Sequence, residues 1–270
     1  MKKLAFSLCL IFLLTLSGLS AEPEGSRLRI GSWNVLHVTG LDGVLDYDRD
    51  AETIRAMNCD VLGLQELDRK TGRVNNADQI QELSQRTGLV PGFARAIDFS
   101  GGEYGIGMLS RQEPVSIISV PLPGKEEPRV LLIAEFEDFF FFNTHLSLTA
   151  ESRAEAAEII TGEMKKRTKP VFLVGDCNLE WDEAQRLFPD DTWTVLSPDQ
   201  PTFPANQPEV RIDYIFVGNA TLQSDGEIND SAAQTDRPDS PVFRIISAQV
   251  VENPIASDHR PVCVEIQRVR

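Results

Sequence analysis

The run Val171-Phe172-Leu173-Val174-Gly175-Asp176-Cys177-Asn178 decides how this 270-residue chain is read. From Pro170 to Val174 four of five residues are apolar, and Val171, Phe172 and Val174 carry strand-forming side chains. That composition predicts a strand buried on both faces. A glycine then turns the chain, and an acid and an amide follow with one residue between them. Alternate side chains of extended backbone point the same way, so Asp176 and Asn178 can face one site. An acid that polarises water beside an amide that holds an oxygen is half of a hydrolytic centre. A strand closed by a polar turn accounts for the same letters, because Gly, Asp and Asn all favour turns.

Outward from this run, other apolar strands also end in a polar residue. Leu28 to Ser32 reads as a strand leading into Trp33-Asn34, and Asp60 to Glu66 as a second with an acid at its end. Helices are expected over Asp48–Met57, capped by Asp48, over Asn76–Thr87, and over Thr149–Arg167, capped by Thr149, with Ala154, Ala157, Ile160 and Met164 on one face. Between Phe93 and Phe142 consecutive strands over 104–109, 115–120, 129–136 and 139–144 predict an antiparallel meander. Residues 181–188 read as a short helix, 197–210 as a surface loop and 219–240 as a polar excursion. Strands are expected over 211–217, 242–251 and 262–269. Strands alternating with helices, with no linker to split them, predict one domain with two sheets inside and helices outside.

Lys2 and Lys3 precede a thirteen-residue, largely apolar run, Leu4 to Leu16, and then the small residues Ser17, Gly18, Ser20 and Ala21. This is the pattern of a secretory signal peptide over residues 1–21, leaving a domain over 22–270 that is secreted or periplasmic. Removing the two lysines takes the formal charge from −15 to −17. So acidic a surface disfavours tight binding to long nucleic acid, whose affinity rests on cationic contacts. Cys59, Cys177 and Cys263 remain, an odd number without metal-ligand spacing, and are expected as three buried thiols.

Lined up, the polar residues at strand ends are Asn34, Glu66, His145, Asp176 with Asn178, Asp213, and Asp258 with His259. One such residue in apolar surroundings is ordinary; six segments with one imply a polar cleft, because an uncompensated polar group there is costly.

The strings Ser32-Trp33-Asn34-Val35, Leu64-Gln65-Glu66, Asn143-Thr144-His145-Leu146, Gly175-Asp176-Cys177-Asn178, Arg211-Ile212-Asp213-Tyr214-Ile215 and Ser257-Asp258-His259-Arg260-Pro261 together resemble the endonuclease/exonuclease/phosphatase superfamily. They stand in the family's order and span residues 28–266. Glu103-Tyr104-Gly105-Ile106-Gly107 is similar to its Tyr-Gly strand. The resemblance implies an α/β fold, a four-layer α/β/β/α sandwich of two mixed sheets packed face to face. It implies Mg²⁺, or Mn²⁺, held by Glu66 with Asn34 and Asp258 near the metal directly or through water. Oxygen ligands and retained waters suit that ion. In that scheme Asp176 activates the attacking water and Asn178 holds it or a phosphate oxygen. His259, oriented by Asp213, donates to the phosphoryl oxygens. His145 is a hydrogen-bond donor or the general acid for the leaving oxygen.

The chain departs from the family's pattern at Ile106, where nucleases carry a polar residue, so no partner for His145 is visible there. The run Gln207-Pro208-Glu209-Val210-Arg211 also differs from that of the inositol phosphatases. The implied activity is hydrolysis of a phosphate ester, whether of a small molecule, a lipid head group or a nucleic acid. A secreted nuclease and a non-catalytic binding module on the same fold are the alternatives. No partner protein is implied, and a monomer is expected. His37 borders the cleft as a structural residue, and Arg153 reads as half of a salt bridge that positions a helix.

Overall fold

The computed structural model describes residues 25–223 and 240–269; the expected leader and most of the polar excursion lie outside them. Two mixed sheets pack face to face. In chain order the first sheet takes β1 (Arg27–Asn34), β2 (Val61–Arg69), β3 (Val90–Phe99) and β4 (Gly102–Ser110). The second is built from β5 (Ser116–Leu122), β6 (Arg129–Glu135), β7 (Phe140–His145), β8 (Val171–Asp176), β9 (Trp193–Val195) and β10 (Asp213–Gly218). The chain then returns to the first sheet with β11 (Thr221–Leu222), β12 (Val242–Val250) and β13 (Val262–Arg268). Strand orders are β11-β12-β13-β1-β2-β4-β3 and β5-β6-β7-β8-β10-β9. β1 runs parallel to β2, and β7 parallel to β8.

Among the described residues four α-helices, α1 (Tyr47–Met57), α2 (Gln79–Thr87), α3 (Ala150–Lys165) and α4 (Trp181–Leu187), form the outer layers. Ile54, Met57, Ile80 and Leu83 of α1 and α2 pack on the outer face of the first sheet with Trp33, Leu62 and Leu64. Ala157, Ile160 and Met164 of α3 and Ala184 of α4 cover the second with Phe142, Leu173 and Phe216. Between the sheets lies a third cluster that includes Ile30, Val61, Met108, Phe141, Phe172, Val174 and Ile215. The expected sandwich is the observed one.

Several local expectations change. The meander is broken: β3 and β4 form a hairpin in one sheet, and Val115 already bonds to Glu135 in the other. Strand periodicity is the same in both sheets and does not mark the crossover. β3 itself was not anticipated, because Pro91 and Gly92 weaken its strand signal; it is an edge strand, where proline is tolerated. Asp46, not Asp48, caps α1, accepting the amides of Asp48 and Arg49 at 3.1 Å. α2 starts at Gln79 behind Asp78. Thr149 precedes α3, but its hydroxyl donates to Ser152 Oγ instead of capping an amide, and Ala156 is buried where Ala154 was expected. The three cysteines are buried free thiols as expected, with Cys59 Sγ and Cys263 Sγ 3.4 Å apart.

The sheets approach closely at Gly63. A Cβ there would lie 2.5 Å from Val174 Cγ2 and 2.8 Å from Asn143 Cγ. Asn143, on β7, crosses the gap and donates to the carbonyls of Gly107 and Leu64 at 2.7 and 3.1 Å, and accepts from Gln65 Nε2 at 2.7 Å. One buried amide therefore ties the second sheet to the first.

Candidate active site

The cleft follows from two-residue periodicity. Along β8, Phe172 and Val174 point into the inter-sheet core, and the next inward position is Asp176. On β7 the series Phe141, Asn143 ends at His145; on β1 Ile30 and Ser32 lead to Asn34; on β10, read backward, Val217 and Ile215 lead to Asp213. The polar ends of four inward rows therefore meet at one edge of the core.

Glu66 reaches the site differently. Periodicity puts Gln65 inward and Glu66 outward, but β2 carries a bulge. Gln65 and Glu66 together oppose Ile106 of β4, between the pairs Leu64–Gly107 and Leu67–Gly105. Glu66 has φ of +57°, a left-handed backbone that is uncommon for a residue with a Cβ. The bulge re-aims the carboxylate, and Asn34 Nδ2 donates to its Oε1 at 3.1 Å.

Asp176 is the hub. Its Oδ2 accepts from Asn34 Nδ2 at 3.0 Å and lies 3.4 Å from His145 Nε2 and 3.5 Å from His259 Nε2. Its Oδ1 accepts the Asn178 amide at 3.0 Å. His259 Nδ1 sits 2.9 Å from Asp213 Oδ2, which also accepts Thr202 Oγ1 at 2.5 Å. Burial acts against charge on His259, but the Asp213 and Asp176 carboxylates outweigh it and push its pKa up to about 10. Burial dominates at His145, with the Arg129 and His259 cations adding to it against Asp176, and pushes that pKa down to about 4. Two histidines facing one oxygen are thus held in opposite states. Burial raises the pKa of Glu66, opposed by the Asn34 hydrogen bond and reinforced by Asp176 and Asp258.

The expected residues come together, with differences in what they touch. Asn34 turns its amide nitrogen to both carboxylates, and its Oδ1 accepts the Leu36 amide at 3.0 Å, so it holds Glu66 and Asp176 in place. Ser257 Oγ donates to the Asn34 carbonyl at 2.6 Å and lies 3.3 Å from Asp258 Oδ1, fixing the loop that carries Asp258 and His259 against β1. Asn178, with φ of +51°, donates to the Leu146 carbonyl at 3.0 Å and touches the site only through its backbone amide on Asp176. His37 stands 4.0 Å from Glu66 Oε2. Arg153 pairs with Glu183 at 2.8 Å, joining α3 to α4 as expected.

Some residues were not foreseen. Thr202 and Phe203, from the loop read as surface, pack on the Asp213–His259 pair, with the Phe203 ring centroid 4.9 Å from that of His259. Arg73 is held by Asp68 at 2.5 and 3.0 Å and lies over the rings of Phe99 and Tyr104. Arg129 lies against His145 from β6, with Nη1 3.4 Å from Nδ1. None stands in a recognisable string, since each reaches the site from a different loop or strand.

One close cluster can hold a divalent cation, and Glu66 with Asp258 offers further carboxylate oxygens near Asp176. One oxygen each of Asp176 and Asp213 and a ring nitrogen of His259 lie within 4.8 Å of one another, although Asp213 already engages His259 Nδ1. Glu66 and Asp258 supply oxygens alone, and the nearby Cys177 thiol points into the outer core. That hard oxygen set fits Mg²⁺ or Mn²⁺.

A family model described as "Endonuclease/Exonuclease/phosphatase family" matches residues 31–259. Among solved structures, an endonuclease/exonuclease/phosphatase from Beutenbergia cavernae is similar at 22% identity and a TM-score of 0.69, over 90% of this chain and 72% of that one. A mannosyl-6-phosphatase of Bacteroides thetaiotaomicron aligns at 19% identity and 0.65, over 88% and 99%. TDP2 of D. rerio, complexed with single strand DNA product, aligns at 22% and 0.59, over 90% and 99%. Among curated proteins none matches. With the family model covering most of its length, this chain belongs to the endonuclease/exonuclease/phosphatase family, hydrolases of phosphoester bonds.

Proposed function

We propose that the protein is an exported phosphoesterase that depends on Mg²⁺ or Mn²⁺ and cleaves a phosphate ester by in-line attack of water. The observation that carries this reading is Asp176 Oδ2, approached by two histidine Nε2 atoms and the Asn34 amide beside Glu66. Asp176 orients the water and takes its proton. His259, charged and braced by Asp213, donates to phosphoryl oxygens as negative charge builds on them. His145 also faces Asp176 Oδ2 and addresses the same group. Glu66 and Asp258 would hold the cation, which supplies charge neutralisation for the phosphate and the leaving oxygen.

The formal charge of −15, or −17 without the leader, favours a small phosphate ester over a long polyanion. The sugar phosphatase of the same fold supports that size of substrate. The apolar leader over residues 1–21 supports export.

The test is a panel of nitrophenyl phosphate mono- and diesters, sugar phosphates, phospholipid head groups, plasmid, single-stranded DNA and RNA, each with and without EDTA. Metal-dependent turnover that Asp176→Asn abolishes in a folded protein is the expected result. Undiminished turnover in that variant would sink the assignment, and preferential cleavage of DNA or RNA would make it a nuclease.

A further inference from the structure

His145 and His259 both present Nε2 to Asp176, so what separates them is the group behind each ring. Behind His259 is a carboxylate, Asp213, an acceptor for the Nδ1 proton. Behind His145 is Arg129, with Nη1 3.4 Å from Nδ1. A guanidinium has five N–H donors and no acceptor. It can meet a ring nitrogen only if that nitrogen carries no proton, so Nδ1 accepts and the ring's one proton sits on Nε2, 3.4 Å from Asp176 Oδ2. Protonating His145 fully would set one N–H against another.

Arg129 is built to stay there. It is 7% exposed, and its Nη1 and Nη2 lie 2.8 and 3.0 Å from Glu127 and Glu126. Glu126 is held in turn by Ser147 Oγ at 2.7 Å and the Leu148 amide at 2.9 Å, two and three residues beyond His145. The 123–128 turn closes tightly enough that a Cβ on Gly124 would overlap the Glu127 carbonyl. This turn therefore clamps the guanidinium onto the segment that follows the histidine.

We infer that Arg129 is a positioning residue that locks His145 as a neutral Nε2–H donor, which hydrogen-bonds the substrate phosphoryl group and keeps its proton throughout turnover. The assignment of an acid role to His145 is thereby dropped. As water's oxygen bonds to phosphorus and the ester bond breaks, the water proton goes to Asp176 and the leaving oxygen is protonated from solvent. The substrate role rests on the proposed phosphoesterase reading; the tautomer does not.

The experiment has two arms. Long-range ¹H–¹⁵N spectra of metal-free protein, with His145→Gln assigning the signals among three histidines, are expected to show His145 with a pyridine-type Nδ1 and a pyrrole-type Nε2 at neutral pH. Arg129→Met, which removes the donor, is expected to redistribute the tautomers, and Arg129→Lys to preserve them. In turnover, His145→Gln keeps a donor near Nε2 but cannot pass on a proton. It is expected to lose about tenfold in kcat, against roughly 10²- to 10³-fold for His145→Ala, the loss of one donor to developing charge. An imidazolium or Nδ1–H tautomer in the wild type, or equal losses in the Gln and Ala variants, would overturn the inference. If Arg129→Met does not fold, the wild-type spectrum and the His145 pair still decide. If no phosphoester is turned over, the spectrum tests the lock by itself.

Discussion

Asp213 Oδ2 and His259 Nδ1 lie 2.9 Å apart in a fully enclosed pair, and this contact separates the cationic histidine of the cleft from the neutral one. The His259 pKa rises from 6.5 to about 10 in the metal-free protein. A histidine that gains protons on folding stabilises the fold fully below its unfolded pKa and loses that contribution as pH climbs through the folded one. Asp213→Asn is expected to lower the His259 pKa, read from its ring signals. It should cut kcat by about 10²- to 10³-fold with smaller change in KM. An unmoved pKa would contradict the pairing.

Glu66 combines a left-handed backbone with a half-buried carboxylate near two other acids. Each feature costs stability in the protein without metal, the backbone strain alone on the order of 1 kcal/mol. Glu66→Gly is therefore expected to raise the midpoint of thermal unfolding while abolishing Mg²⁺ or Mn²⁺ binding by calorimetry. A lower midpoint would show that the bulge is unstrained.

Gly63 leaves no room for a methyl group between Val174 and Asn143. Gly63→Ala should push the sheets apart and cost about 1–3 kcal/mol in denaturant unfolding. Because Asn34 and Glu66 stand on one sheet and His145 and Asp176 on the other, kcat/KM should fall as well, though Gly63 itself has no side chain to offer the site. Wild-type activity in a destabilised variant would show that the cleft tolerates a shift of the seam.

Asp50 lies in the first turn of α1, fully buried, with no hydrogen bond to either carboxylate oxygen and Arg49 Nε at 3.9 Å. Burial pushes its pKa up to about 8, against the opposing Arg49. The native state therefore binds this proton more tightly than the unfolded chain, and stability drops as pH rises from the ordinary carboxylate range through about 8. Asp50→Asn should unfold at higher denaturant than wild type at pH 8, by an amount on the order of a few kcal/mol, and at about the same denaturant at pH 4. Parallel curves across that range would refute the buried proton.

Much of the site was legible because strand periodicity and strand ends are local. Val171 to Asp176 predicts its own orientation, and so do the runs into Asn34 and His145. What escaped depends on partners distant in sequence. Arg129 lies 16 residues before His145 and meets it only because β6 and β7 pair, whereas a partner had been sought at Ile106, which instead packs in the inter-sheet core. Thr202 reaches Asp213 from a loop whose Pro-rich letters read as solvent. The bulge at Glu66 has no turn signal, since neither Gln65 nor Glu66 favours a left-handed backbone. The break between β4 and β5 is invisible to any two-residue pattern.

The Asn143 seam has a practical consequence. A phosphate held, as proposed, by His145 on one wall and by a cation at Glu66 on the other would fasten both sheets at once. Any compound that bridges them must delay melting in proportion to the logarithm of its concentration, by mass action. The Asp176→Asn protein, expected to bind without turning over, then becomes its own sensor. Libraries of phosphate esters can be ranked by thermal shift before any product assay exists, and the best-ranked ligand names the substrate to try first.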